Sequence, residues 1–229
     1  YYKAKIFLNL CHEAGIQNYI YSSTAAVYGQ QNQKVKESTK VKPLSPYAKS
    51  KYKLEKYLFE NNKKFNFIIL RYFNVGGAEK KLRSGFNIKN KSLISNLCES
   101  FIYNKKFFIY GNSYKTKDGT AIRDYIHISD LAKIHYKFSL KLLNRKYSDI
   151  FNCGYGKGIT VKNMYNIFKS ISKKSSNVVY TNKRKKDISI SISDVSKLKK
   201  EINIIFRKKI LLDLAKSSIA WYKKQKKVF

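Results

Sequence analysis

Two short apolar runs, Tyr19-Ile20-Tyr21 and 65–72, bracket a single helical stretch, and this alternation constrains the fold more than any other feature of the chain. Both runs are too short for helices and rich in aromatic or β-branched residues, so they predict strands, the first of them buried. Between them lie a polar loop over 30–42 and a helix predicted over 47–61, with Leu54, Tyr57 and Leu58 on one side. Ahead of the first strand, Ile6, Leu8, Leu10 and Cys11 have helical spacing that stops at Gly15. Helix, strand, loop, helix, strand is the rhythm of βαβ units, which demands a mostly parallel sheet with helices packed on it.

Beyond Gly76-Gly77 the rhythm loosens, which marks a change of domain. The pattern predicts a helix over 91–104, a strand over 107–110 and a turn around Asp118-Gly119. A further helix runs to about 143 from a start that either Ser129 or Asp130 can cap. A strand over 150–152, a glycine-rich loop over 154–158, a helix over 161–172 and a strand over 177–180 follow. Leu211, Leu212, Leu214, Ile219 and Trp221 belong to an amphipathic helix near the end. No internal repeat is visible, and the lysine clusters at 183–186 and 223–227 are short.

A hydrophobic content of 43% is enough to fill a core in 229 residues. The formal charge of +34 raises the question of a polyanionic partner. It comes almost entirely from lysine, scattered along the chain, and only six residues are arginine: Arg71, Arg83, Arg123, Arg145, Arg184 and Arg207. Arginine is the residue that reads phosphates and bases bidentately, so this excess describes a solvated surface and not a specific nucleic-acid binder. No window holds the ~18 apolar residues of a membrane span, and no secretion signal opens the chain, so a cytoplasmic location is expected. The three cysteines, Cys11, Cys98 and Cys153, are an odd number without CxxC spacing, which indicates neither a disulfide framework nor a metal site.

Tyr47-Ala-Lys-Ser-Lys51 sets a phenol and an ammonium one helical turn apart on the same face. A free phenol with a pKa near 10 is a poor base at neutral pH, and a cation beside it favours the phenolate. A hydroxyl from Ser23 or Thr24, at the end of the preceding strand, can share the moving proton, giving a three-part acid–base device. The five-residue pattern alone is weak in a chain so rich in Tyr and Lys. Its setting is specific: Tyr21-Ser-Ser-Thr-Ala-Ala-Val-Tyr-Gly29 stands on the strand end, and Pro43-Leu-Ser-Pro-Tyr-Ala-Lys-Ser-Lys51 opens the helix. Together they resemble the extended short-chain dehydrogenases. The likeness continues through Leu70-Arg-Tyr-Phe-Asn-Val75, Ile109-Tyr-Gly111, Asp118-Gly-Thr-Ala-Ile-Arg-Asp-Tyr-Ile-His-Ile-Ser-Asp-Leu-Ala132 and Phe151-Asn-Cys-Gly-Tyr-Gly156. In that order they are similar to the UDP-glucose 4-epimerases, over essentially the whole chain.

The resemblance implies an α/β fold with part of a doubly wound, Rossmann-type parallel sheet in residues 1–75. A smaller substrate domain would occupy 76–229, with elements near 124–172 returning to the sheet. It implies NAD as cofactor, a UDP-sugar substrate and a homodimer formed through the helices near 3–14 and 47–60. Tyr47 would be base and acid, Lys51 would hold the nicotinamide ribose, and Thr24 would hydrogen-bond the reacting sugar hydroxyl. Ser22 and Tyr72 would join Tyr47 and Lys51 at the cofactor. Asn74 would contact the sugar nucleotide, Tyr110 would pack near the uracil where the family usually has Phe, and Arg123 with Arg184 would grip the diphosphate. Asp187 would bind a ribose hydroxyl, and the small Ser191 would admit a bulky substituent on the sugar's C2.

Some positions depart from the family. No Gly-x-x-Gly-x-x-Gly turn for the NAD pyrophosphate is present, so the chain is expected to be N-terminally incomplete and to hold NAD poorly by itself. Ala4 and Lys5 stand where asparagines are usual, and Ser92 and Ser95 replace His or Asn and Pro. The alternatives are another nucleotide-sugar enzyme, such as a uronate epimerase or a 4,6-dehydratase, and a catalytically silent basic protein that binds polyanions. The dehydratase needs an acidic pair beside Thr24, where Ala25 and Ala26 stand. Gly154-Tyr-Gly-Lys-Gly158 lacks phosphate-loop spacing and is expected to be a structural turn. His127 is expected to be a packed, hydrogen-bonded histidine, while His12 and His135 support no assignment.

Overall fold

The computed structural model describes residues 1–184, 187–206 and 209–227; Lys185, Lys186 and Arg207, named above, lie outside that set. The first elements are α1 (Tyr2–Glu13), β1 (Asn18–Thr24), a 3-10 turn (Ala25–Tyr28), α2 (Pro46–Glu60) and β2 (Asn66–Tyr72). There follow β3 (Asn74–Gly76), α3 (Leu93–Tyr103), β4 (Phe107–Tyr110), β5 (Ile122–Arg123), β6 (Tyr125–His127), α4 (Ile128–Asn144) and β7 (Ser148–Cys153). The last are β8 (Ile159–Thr160), α5 (Val161–Ser172), β9 (Val178–Thr181), β10 (Ile190–Ser191), α6 (Ser196–Ile202) and α7 (Ile210–Lys227).

The fold is α/β, organised on a parallel sheet in the order β1-β2-β7, with Thr24, Tyr72 and Cys153 in register at its C-terminal edge. β2 carries the apolar run Phe67 to Leu70 because helices cover both of its faces. Phe67 and Ile69 pack with Leu54 and Leu58 of α2, whereas Ile68 and Leu70 pack with Ile134 and Phe138 of α4. β1 departs from the expectation of a buried strand. Among the described residues β1 pairs with β2 alone, and Tyr19, Ile20 and Tyr21 are half-buried.

A second hydrophobic cluster gathers α3, α5 and α7 around Phe101, Phe107, Tyr165, Phe168 and Trp221. Short ladders connect the remaining strands: β3 with β6, β4 with β9, and β10-β5-β8. Of the described residues of α1, only Leu8 is buried, while Tyr2, Ile6, Phe7 and Leu10 are exposed.

Two helix starts matter for the site. Ser45 is extended, as the residue before a proline should be, and its Oγ accepts the Ala48 amide at 3.1 Å. Pro46 then opens the first turn, where no N–H partner is lost, so Tyr47 stands in that turn and Lys51 follows one turn later. The start of α4 differs from expectation, because neither Ser129 nor Asp130 caps it. The helix begins earlier, at Ile128, and the imidazole Nδ1 of His127 accepts the Ser129 amide at 3.1 Å while Nε2 meets Ser217 Oγ at 3.0 Å. Asp130 instead accepts from the Tyr155 hydroxyl at 2.7 Å. Among the described residues, no helix is long and apolar enough to cross a membrane.

Candidate active site

The C-terminal edge of the parallel sheet is braced by a buried ion pair. Arg71, between Ser23 and Asn152 in the register, donates to Glu55 of α2 through Nη2 at 2.6 Å and Nε at 3.0 Å. Both side chains are almost fully enclosed, at 5% and 1% exposure. Ser23 Oγ donates to the same carboxylate at 2.5 Å, and the Arg71 guanidinium lies 4.7 Å from the Tyr28 ring centre. Tyr28 in turn donates to Asn152 Oδ1 at 2.7 Å, which joins α2, β1, β2 and β7 in one polar network. Glu55 was missed in the sequence. The available signal was its spacing, since Tyr47, Lys51 and Glu55 recur every fourth residue along α2.

Above this brace, Lys51 Nζ donates to the Ser22 carbonyl at 2.8 Å and lies 5.9 Å from the centre of the Tyr47 ring. Partial burial lowers the Lys51 pKa. Burial, then Glu55 and Tyr47, push the nearby Tyr21 phenol upward. Tyr47 itself is 58% exposed at the start of α2, open to an incoming ligand. Ser22 Oγ and the Tyr72 hydroxyl are 2.7 Å apart, and the same hydroxyl is hydrogen-bonded to His135 Nε2, a residue the sequence did not single out.

A cavity of about 560 Å³ opens beside these groups, walled by Thr24, Tyr72, Asn74, Arg123, Asp187 and Ser191 together with Ser45 and Pro46. A second of about 300 Å³ shares Asn74, Arg123 and Asp187 with it and adds Tyr110, Arg184, Lys91 and the start of α3. Eight of the predicted residues therefore converge: Thr24, Tyr72, Asn74, Tyr110, Arg123, Arg184, Asp187 and Ser191. Tyr47, Lys51 and Ser22 are not in the walls; Tyr47 follows Pro46 directly and Ser22 stands two residues before Thr24.

The arginines are already engaged. Arg123 pairs with Asp187 at 2.8 Å, and Tyr114 donates to the other Asp187 oxygen at 3.1 Å. Arg184 stacks its guanidinium 3.7 Å from the centre of the Tyr110 ring. Across the two cavities, Arg123, Arg184 and Lys91 face one carboxylate, Asp187, an imbalance that favours an anionic ligand. Thr24 Oγ1 accepts the Ala26 amide at 3.2 Å, which leaves its hydrogen available to donate.

Asp124, next to Arg123, explains the glycine-rich loop. Its Oδ1 accepts from the Tyr125 and Tyr155 amides, and its Oδ2 from those of Gly156 and Ser193, at 2.8–3.0 Å. The loop amides thus serve a carboxylate of the protein itself, and a Cβ at Gly154 would lie 2.5 Å from Asp124 Oδ2. Asp124→Asn turns an NH₂ toward these donors, so the variant is expected to lose about 1–3 kcal/mol. A urea-unfolding midpoint indistinguishable from wild type contradicts this account of the loop. Among the described residues, no group of three or more His, Cys, Asp or Glu side chains gathers for a metal.

The family model described as the NAD dependent epimerase/dehydratase family matches residues 4–154, from α1 through β1, α2 and β2 to the Asp124 loop. The chain belongs to this family. It is 32% identical to the UDP-glucose 4-epimerase of Azospirillum brasilense over 219 residues, covering 93% of this chain and 63% of that protein. It is 34% identical to UDP-arabinose 4-epimerase 1 of Arabidopsis thaliana over 218 residues, or 91% and 52% of the two chains. The chain thus spans between half and two thirds of these relatives. In three dimensions it matches the UDP-glucose-4-epimerase from Stenotrophomonas maltophila, solved with bound NAD and formylated UDP-arabinopyranose. There the TM-score is 0.91 at 26% identity, covering 97% of this chain and 68% of that one. The parallel sheet is accordingly the Rossmann-type sheet of these epimerases.

Proposed function

We propose that this protein interconverts UDP-glucose and UDP-galactose by inverting C4 of the hexose through a transient 4-keto sugar. The observation that carries the reading is the convergence of Thr24, Asn74, Arg123, Arg184 and Asp187 on two joined cavities beside Tyr47 and Lys51. The donor set also fits NAD: two hydroxyls, Ser22 and Tyr72, and one ammonium, Lys51, meet at the C-terminal edge of parallel strands, as ribose hydroxyls require. Bound NAD supplies reversible hydride acceptance from sugar C4.

In this reading the Tyr47 phenolate removes the proton from the sugar 4-hydroxyl and later returns it. Lys51, fixed by the Ser22 carbonyl, lies beside the Tyr47 ring and holds the nicotinamide ribose, and Thr24 donates to the reacting oxygen. The forks of Arg123 and Arg184 pair with the diphosphate, because a planar guanidinium matches two phosphate oxygens. Asp187 accepts from a nucleotide ribose hydroxyl, Tyr110 packs against the base, and Asn74 contacts the sugar nucleotide. The small Ser191 leaves room at C2, so the intact enzyme accepts N-acetylated hexoses as well.

A two-substrate assay of the full-length protein, with NAD supplied, tests both parts. Turnover of UDP-glucose and of UDP-N-acetylglucosamine is the expected result. No turnover of either contradicts the function. Good turnover of UDP-glucose with none of UDP-N-acetylglucosamine removes the role given to Ser191. The exposed stripe of Tyr2, Ile6, Phe7 and Leu10 on α1 supports a homodimer formed through α1 and α2.

A further inference from the structure

We infer that His135 is a positioning residue for Lys51, acting through the Tyr72 hydroxyl and Ser22. Lys51 is held by a backbone carbonyl, that of Ser22, near the C-terminal end of β1. The position of the ammonium therefore depends on what fixes Ser22. Ser22 Oγ is 2.7 Å from the Tyr72 hydroxyl, which is bonded in turn to His135 Nε2, and the two rings lie 5.8 Å apart at a tilt of 56°. His135 belongs to α4, whose Ile134 and Phe138 are fully buried against Ile68 and Leu70 of the sheet. The chain of hydrogen bonds thus ties the end of β1 to a firmly packed helix.

The direction of the chain follows from burial. Burial lowers the His135 pKa, so the neutral imidazole presents Nε2 as an acceptor. Burial also raises the Tyr72 phenol to about 12, which keeps its proton in place. Tyr72 then donates to His135 and accepts from Ser22. Without the imidazole, the half-buried phenol loses its acceptor and turns to compete for the groups of Ser22, including the carbonyl that Lys51 uses.

The consequence for catalysis rests on the function proposed above, whereas the effect on Lys51 does not. Nuclear magnetic resonance of lysine-labelled protein can follow the Lys51 titration in wild type, His135→Leu, Tyr72→Phe and His135→Gln. The Lys51 midpoint is expected to rise toward the ordinary lysine value in His135→Leu and Tyr72→Phe, as the ammonium swings into water. It should return in His135→Gln, whose side-chain carbonyl can accept from Tyr72. Turnover of the UDP-sugar should fall about tenfold in His135→Leu, with KM little changed, and recover in His135→Gln. An unmoved Lys51 in Tyr72→Phe overturns the inference, as does a shift in His135→Leu that His135→Gln fails to reverse. Absence of turnover in the full-length wild type contradicts the proposed function, and the Lys51 titration still decides the role of His135.

Discussion

Tyr47→Phe is expected to lower UDP-hexose turnover by about 10²–10⁴-fold while UDP binds about as well as to wild type. The substitution keeps the ring near Lys51 and the helix start formed by Ser45 and Pro46, and removes only the phenolic oxygen. Because Tyr47 is 58% exposed and its hydroxyl is not part of the buried network, folding should be unaffected. Steady-state kinetics with a calorimetric UDP titration separates the two quantities. A variant that retains wild-type turnover takes Tyr47 out of the chemistry, and one that loses UDP binding as well shows that the residue shapes the nucleotide pocket.

Glu55→Leu is expected to cost about 3–5 kcal/mol of folding stability, the range for removing one partner of a buried ion pair. Arg71 would be left charged and enclosed at 5% exposure, and the Ser23 hydroxyl would lose its acceptor. The double variant Glu55→Leu with Arg71→Met should recover much of this loss, because apolar side chains of similar volume avoid the desolvation of both charges. Urea unfolding of the three proteins provides the test. A single-variant loss below about 1 kcal/mol would place Glu55 among ordinary surface carboxylates, for which exposed pairs contribute little. The pair also bears on function, since it fastens α2, with Tyr47 and Lys51, to β2, while Ser23 on the same carboxylate ties in β1, which carries Thr24.

What could be read in the sequence was set by interactions close along the chain. β2 is legible because a strand covered on both faces carries an apolar run, here Phe67 to Leu70, and α2 because Ser45 and Pro46 announce it just ahead of Tyr47. The site residues lying inside contiguous motifs, from Thr24 to Arg123, came with those motifs. What was missed depends on partners far away. The His127 cap works with an imidazole held by Ser217, 90 residues on. Tyr72 meets His135 across 63 residues and Arg123 meets Asp187 across 64, with no local pattern to announce either. β4 pairs with β9, whose residues 107–110 and 178–181 are individually unremarkable short runs. Asp124 looked like one more acidic residue in a motif, yet its carboxylate organises the loop that the glycines only permit. The composition of β1 suggests a buried strand, but Tyr19, Ile20 and Tyr21 are half-buried in a chain that spans 68% of the matched epimerase structure, and composition does not say which elements flank a strand.

The most direct test of the account is a deuterium experiment. UDP-galactose deuterated at C4 is incubated with the full-length protein and NAD, and the product is followed by nuclear magnetic resonance. Proton movement by Tyr47 at the 4-hydroxyl, with hydride leaving and returning at C4, predicts UDP-glucose that retains the deuterium on an inverted C4. Loss of the label to solvent, or no UDP-glucose at all, contradicts it.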